Sequence, residues 1–144
     1  MTGEIKKVPD IGFRVLRVDD SNMKEVYYAA SEYSQNMLEG LVSNIKEDRS
    51  DLDLLYGIML DWGLQLSLSH KMIAMQGFTV HVVDEGSLVA CFAEKISEKL
   101  VREIASMKPL RVVFRDSCFA GSPEKINLEE IFKTLSPETS VRVI

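Results

Sequence analysis

Cys118 is the first residue that could carry chemistry, because it follows an almost continuously apolar stretch in a loop that runs from Asp116 to Gly121. Ligands of open α/β sheets bind beyond the carboxyl ends of the strands, which is where this loop is expected. A nucleophilic cysteine needs a base or a positive helix end to lower its pKa. Only His70 and His81 offer an imidazole. The sequence therefore favours a small residue in a turn, and a catalytic thiol stays the alternative.

Metal and nucleotide sites have even less support. The two histidines stand 11 positions apart, and Cys91 and Cys118 are distant from each other, so no common zinc-ligand spacing is present. Neither the Gly-x-Gly-x-x-Gly pattern nor the Gly-x-x-x-x-Gly-Lys-Ser/Thr pattern occurs. We expect no catalytic residue, no metal ligand and no cofactor-binding residue in this chain.

The charge balance argues against autonomous DNA binding. Lys and Arg number 17 against 22 Asp and Glu, a net charge of -5, and the basic residues are dispersed. Proteins that hold nucleic acid through its phosphates usually carry a basic patch. No apolar run approaches the roughly 20 residues that cross a bilayer. Two cysteines and no signal pattern predict a cytoplasmic protein that makes no membrane contact.

The first half of the chain predicts a connector, a strand and two helices. Residues 1–12 are polar with glycine and proline, which is typical of a connector from a missing upstream part, and residues 13–144 are expected to form a single α/β domain. Alternating residues from Phe13 predict a strand over 13–18. Residues 23–47 favour a helix. A second helix begins at Ser50, which forms a capping box with Asp53. Its expected apolar face is Leu52, Leu55, Tyr56, Met59 and Leu60.

The second half predicts a mixed sheet with packed helices. Three strands, at 72–75, 78–83 and 88–92, form a meander. The third of these strands begins a β-α-β-α-β run whose strands should be parallel. The run continues with a helix capped by Ser97, a buried strand at 110–114, a helix beginning at Asn127 and a strand at 141–144. The fold class expected is α/β, or α+β.

The tyrosine-rich part of the first predicted helix is a possible interface. Aromatic residues anchor interfaces as well as cores, and three tyrosines in one segment exceed what a small core needs. The core alternative stays open. The candidate interface residues are Tyr27, Tyr28, Tyr33, Met37 and Leu41.

Several separated stretches carry a resemblance to a known family. They are residues 10–19 (DIGFRVLRVD) with Ser21 and Asn22, residues 51–56 with 62–64, residues 109–117 (PLRVVFRDS) with Phe119, and residues 125–127, 131–132 and 135–137. In order and spacing, over about 130 residues, the chain resembles the C-terminal region of the Mod subunit of type III restriction-modification systems. That subunit is a site-specific adenine DNA methyltransferase.

The resemblance implies a prokaryotic parent enzyme that transfers a methyl group from S-adenosylmethionine to adenine. The family's Asp-Pro-Pro-Tyr and Phe-x-Gly-x-Gly motifs have no counterpart here, so no catalytic or cofactor residue is carried over. The expected role is therefore assembly, through a homodimeric Mod–Mod contact or through binding of the Res subunit. DNA would be bound by the parent complex and not by this domain alone. The alternative is a free-standing α/β ligand-binding module or enzyme that uses the loop from Asp116 to Gly121.

Overall fold

The computed structural model describes residues 12–24, 44–119 and 122–144, without the side chains of residues 122–126. The described helices are α1 (Asp51–Asp61), α2 (Glu98–Ser106) and α3 (Ser122–Leu135). The described strands are β1 (His70–Met75), β2 (Phe78–Val83), β3 (Leu88–Cys91), β4 (Arg111–Phe114) and β5 (Ser140–Val143). Short 3₁₀ turns lie at Asp84–Gly86 and Asp116–Cys118.

The five strands form one mixed sheet in the order β1-β2-β3-β4-β5. The first three strands are an antiparallel meander, and β3, β4 and β5 run parallel. This confirms the predicted α/β class and the β-α-β-α-β run. The β1–β2 hairpin turns at Gln76 and Gly77, whose φ angles are 52° and 80°. Two consecutive positive φ angles are what a two-residue type I′ hairpin turn requires.

Both faces of the sheet are covered, by different helices. Val112 and Phe114 of β4 pack against α2 and α3, whereas Val113 between them packs against α1. This alternation follows from the period of two along a strand. β3 is buried at all four positions, as expected for a strand with helices on both faces. The result is a sheet between two helical layers.

Helix α1 begins and ends at strong local signals. Ser50 and Asp53 form the predicted capping box, and hydrogen bonds from Ser50 to the Asp53 carboxylate lower the pKa of that group below its ordinary 3.8. At the other end, the N–H of Gly63 donates to Leu60 O and the N–H of Leu64 donates to Met59 O, while Gly63 has a φ of 69°. These two bonds form a Schellman motif.

The buried face of α1 is rotated from the predicted one. Its buried side chains are Leu54, Leu55, Ile58 and Met59. Leu52 and Leu60, which were predicted to be buried, are 43% and 64% exposed. Apolar residues stand at seven of the 11 positions of this helix, so the pattern allows two overlapping apolar faces, and only the sheet selects one of them.

We expect Ser50→Ala to reduce the free energy of unfolding by about 1 kcal/mol, because the helix loses its N-cap hydroxyl. Chemical denaturation followed by circular dichroism measures the change. Ser106→Ala, at an exposed helix end, is the control and should change the stability by less than about 0.5 kcal/mol. Equal effects of the two substitutions would contradict the capping assignment.

Three predicted elements differ in the structure. Residues 13–18 are extended but belong to no strand among the described residues. Met23 and Ile45, at the ends of the predicted helix over 23–47, form an antiparallel bridge instead, and residues 25–43 lie outside the described part. Helix α3 begins at Ser122, so Asn127 lies inside it and is not its cap. Pro123 stands at the first turn of that helix, where a missing N–H costs little.

Candidate functional site

The loop after β4 is closed onto the neighbouring backbone. The N–H of Asp116 donates to Ile144 O at 2.6 Å, and Cys118 O accepts from the N–H of Ile96 at 3.0 Å. These two bonds connect the segments that follow the carboxyl ends of β3, β4 and β5. The cavity beside Ile96 and Phe119 has a volume of about 40 Å³, room for little more than one water molecule. That cavity is too small for a substrate, whereas a groove of about 580 Å³ borders the loop at Asp116, between α3 and β5.

Cys118 is not placed as a nucleophile. Its side chain is fully buried in the core between the sheet, α2 and α3. Its Sγ accepts from the N–H of Arg115 at 3.3 Å and donates to Cys91 O at 3.4 Å. Burial raises the pKa of this thiol to about 12, and burial also raises the pKa of Cys91. Since the thiolate is the reactive form, both thiols should be inert in the folded protein.

His70 and His81, for which the sequence analysis predicts no common site, lie side by side. His70 Nε2 is 3.0 Å from His81 Nδ1, and His81 Nε2 is 3.3 Å from Asp51 Oδ2 at the start of α1. His81 is 1% exposed and its ring also contacts Phe92. The register of the β1–β2 hairpin explains why the two rings lie together. His70 pairs with Val83, which is two positions from His81 and on the same face of the sheet. The spacing of 11 residues around a Gln-Gly turn was the available signal.

Hydrogen-bond chemistry assigns the protons of this chain when both rings are neutral. The Asp51 carboxylate accepts from Nε2–H of His81, which leaves Nδ1 of His81 as an acceptor. Nε2–H of His70 then donates to that Nδ1. The buried ring of His81 is then hydrogen-bonded on both sides, whereas His70 is only partly buried. Three elements, α1, β2 and β1, are thus connected by one chain of hydrogen bonds.

An arginine joins this region to the extended segment, which we define as residues 12–18. Arg14 Nη1 donates to Leu66 O at 2.6 Å and to Leu68 O at 2.7 Å. Its guanidinium also lies 5.9 Å from the centre of the Tyr56 ring. Desolvation lowers the pKa of His70, and the charges of His81 and Arg14 lower it further. Arg14, which anchors the extended segment, is thus one of the charges that act on His70.

The extended segment exposes an unusual amount of apolar surface. Phe13 is 86% exposed, Val15 83% and Val18 98%. Residues 13–18 make no backbone hydrogen bond to another described residue. Single exposed apolar residues are normal, but several within six residues are typical of an interaction site.

A groove of about 650 Å³ lies between the extended segment and α1. Its charged groups are paired with one another: Arg49 lies 3.2 Å from Asp19, and Arg142 pairs with Asp61. The Arg142 guanidinium also stacks on Trp62, 4.5 Å from the ring centre. Arg49 and Arg142, two of the three arginines that line the groove, thus already have carboxylate partners.

The interface residues predicted from the sequence, Tyr27, Tyr28, Tyr33, Met37 and Leu41, lie outside the described residues. Lys24 and Asn44 flank that region and are hydrogen-bonded to each other, N–H to carbonyl, at 2.7 Å. Within residues 12–24, 44–119 and 122–144, no three His, Cys, Asp or Glu side chains converge as metal ligands. No described helix has the length and apolar content that crossing a membrane requires.

Comparison with known proteins gives no assignment. No protein-family model matches the chain. No curated protein matches it significantly.

Proposed function

We propose that this chain is the non-catalytic C-terminal domain of a type III Mod methyltransferase, and that it contributes to Mod–Mod pairing or to binding of Res. The observation that carries the proposal is the apolar exposure of the extended segment. That segment falls within residues 10–19, one of the stretches on which the resemblance to Mod depends. An assembly role explains this exposure without any catalytic chemistry, because covering exposed apolar groups with a partner is energetically favourable.

The rest of the described structure fits a scaffold that presents a surface. At the carboxyl ends of the parallel strands, where α/β proteins commonly bind ligands, backbone hydrogen bonds of Asp116 and Cys118 hold the loop after β4 to its neighbours. Arg49 and Arg142, which line the groove beside α1, are each paired with an aspartate. Transfer of a methyl group to adenine requires a pocket for the flipped base, and in this proposal the upstream part of the parent supplies it.

The double substitution Phe13→Ser with Val15→Ser in the full-length Mod protein should weaken Mod pairing or Res binding at least about tenfold. Loss of apolar anchors from an interface typically costs more than about 1 kcal/mol each. Sedimentation of Mod and titration of Mod with Res measure the two contacts separately. The far-ultraviolet circular dichroism spectrum should stay unchanged, because both side chains are exposed.

The matched control is Met72→Ser with Leu110→Ser, which also removes two exposed apolar side chains, 64% and 60% exposed, from other elements. This control should leave both contacts intact. The proposal is wrong if the segment variant retains both affinities, or if the reading frame upstream of this chain encodes no methyltransferase.

A further inference from the structure

The outer edge of β5 has no strand beside it among the described residues. The N–H groups of Ser140 and Ile144 each donate at 2.9 Å to a carbonyl of the neighbouring stretch 110–114. Successive peptide groups of a strand point to opposite sides, so the N–H and C=O groups of Val141 and Val143 point away from β4. No described residue is hydrogen-bonded to these outward groups. This edge therefore offers donors and acceptors for one more strand.

The free edge of β5 opens into the groove of about 580 Å³ whose opposite wall is α3. Leu128 and Phe132 from the helix and Val141 and Val143 from the strand form the apolar part of the lining. A strand edge beside a helix receives an extended polypeptide in a defined way. The main chain of the guest bonds to the edge, and every second side chain enters the groove. The groove thus fits a segment with apolar residues two positions apart.

The extended segment has this pattern. Phe13 and Val15 stand two positions apart, and side chains with that spacing share one face of a strand. They are 86% and 83% exposed, whereas Arg14 between them donates to Leu66 O and Leu68 O. Arg14 therefore anchors the segment to its own chain, and the apolar side chains on either side of it are left for another molecule to cover.

We propose that two copies of this chain pair by reciprocal strand addition, in which residues 13–18 of each copy lie along β5 of the other and place Phe13 and Val15 in the groove beside α3. The inference rests on the proposed function and deepens it, because it names the partner and the surface that receives the segment. Reciprocal addition uses the same two surfaces on both copies, so the contact closes at a dimer and does not propagate into a filament.

The donor and acceptor surfaces of one chain lie close together. Val15, Leu16 and Arg17 line the groove beside α1 together with Arg142 and Ile144, which belong to the end of β5. The segment thus lies near one face of the strand whose outer edge is free. A single two-fold axis near β5 can therefore bring each segment to the edge of the other copy.

Charge favours β5 over β1, which is the other edge of the sheet. Lys71 lies exposed on β1, and a lysine on an edge strand is a common means of preventing strand pairing. The segment brings Arg14 and Arg17, which would repel that lysine. The groove beside β5 is lined instead by two carboxylates, Asp116 and Glu129, against one lysine. A basic segment is therefore attracted to the edge of β5.

Disulfide trapping between two variants of the intact 144-residue chain tests the contact. Chains with Val15→Cys are mixed with chains with Glu129→Cys under mild oxidation, and mass spectrometry identifies the mixed disulfide. We expect this disulfide to form, because residue 15 enters the groove that residue 129 lines. Cys91 and Cys118 are buried and should not take part.

The matched control is Met72→Cys, on β1 and 64% exposed. It should form the mixed disulfide with Val15→Cys at least about tenfold less, because disulfides form only between positions whose Cβ atoms approach closely. Absence of the disulfide with Glu129→Cys, or equal trapping of Glu129→Cys and Met72→Cys, would overturn the inference.

A proline at the edge of β5 tests the backbone bonds. Val141→Pro removes an outward N–H and keeps the bonds to β4, so the fold should persist while self-association in sedimentation weakens at least about tenfold. Met72→Pro is the matched control on β1. Its N–H also points outward, since the N–H of Asp84 donates to Ser69 O, and self-association should stay unchanged. Unaltered association of Val141→Pro, or a wild-type chain that stays monomeric at every concentration, would refute strand addition.

The inference and the proposed function fail by different results. If Phe13→Ser with Val15→Ser weakens Mod pairing or Res binding but neither trapping nor Val141→Pro gives the expected result, the assembly role stands and the strand addition is wrong. If trapping succeeds but that segment variant of full-length Mod retains both affinities, the strand addition belongs to the 144-residue chain and the proposed function fails.

Discussion

Cys91 and Cys118 are expected to react with an aqueous disulfide reagent at least about a thousandfold more slowly in the folded chain than in the unfolded chain. Both thiols are fully buried. The reagent can reach them only when the core opens, and a stability of about 5 kcal/mol keeps the open fraction near one part in several thousand. Stopped-flow absorbance of the released thiol, with and without denaturant, measures the ratio.

The exposed-cysteine variant Ser106→Cys is the control, and its new thiol should react at close to the unfolded rate. Fast reaction of Cys118 in the native chain would show an accessible thiol. That result would favour the alternative function, in which the loop after β4 carries chemistry, over the assembly role.

Phe114→Ala is expected to reduce the free energy of unfolding by about 3–5 kcal/mol, the usual range when a buried aromatic ring is removed. Phe114 is fully buried at the end of β4, and its ring meets those of Phe119 and Phe132 edge to face at 5.7 and 6.2 Å. The substitution thus leaves a cavity where the sheet, α3 and the loop after β4 meet. Urea denaturation gives the change in stability.

Leu110→Ala, on the same stretch of chain but 60% exposed, should cost less than about 0.5 kcal/mol. Since the thiols are reached through opening of the same core, Phe114→Ala should also accelerate their reaction. A loss below about 1 kcal/mol for Phe114→Ala would mean that the ring is not part of the core as described.

The local signals in the sequence were sufficient for most of the elements. The capping box of Ser50 with Asp53, the Gln76–Gly77 turn and the Ser97 cap each depend on neighbouring residues, and each is present in the structure. The parallel run was predictable because strands joined by helices must cross over, and the almost continuously apolar stretch at 110–114 is typical of a strand buried on both faces.

Where the sequence left two solutions, tertiary packing chose between them. Residues 13–18 alternate like a strand, but strand formation needs a partner edge. The structure instead holds the segment by Arg14 on two loop carbonyls. The leucine-rich α1 allowed two apolar faces, and the shape of the sheet selected the one with Leu54 and Ile58. Asn127 resembled a helix start, yet the helix begins five residues earlier.

The sequence by itself determined the mixed sheet, its helices and the acidic balance, because these follow from local periodicity, turn chemistry and composition. The tertiary structure alone decided which side chains meet. His70 and His81 come together through hairpin register, and Asp51 reaches them because α1 begins over β2. It also buried Cys118 and exposed Phe13. Contacts between distant residues depend on how the layers are stacked, and no local pattern encodes that stacking.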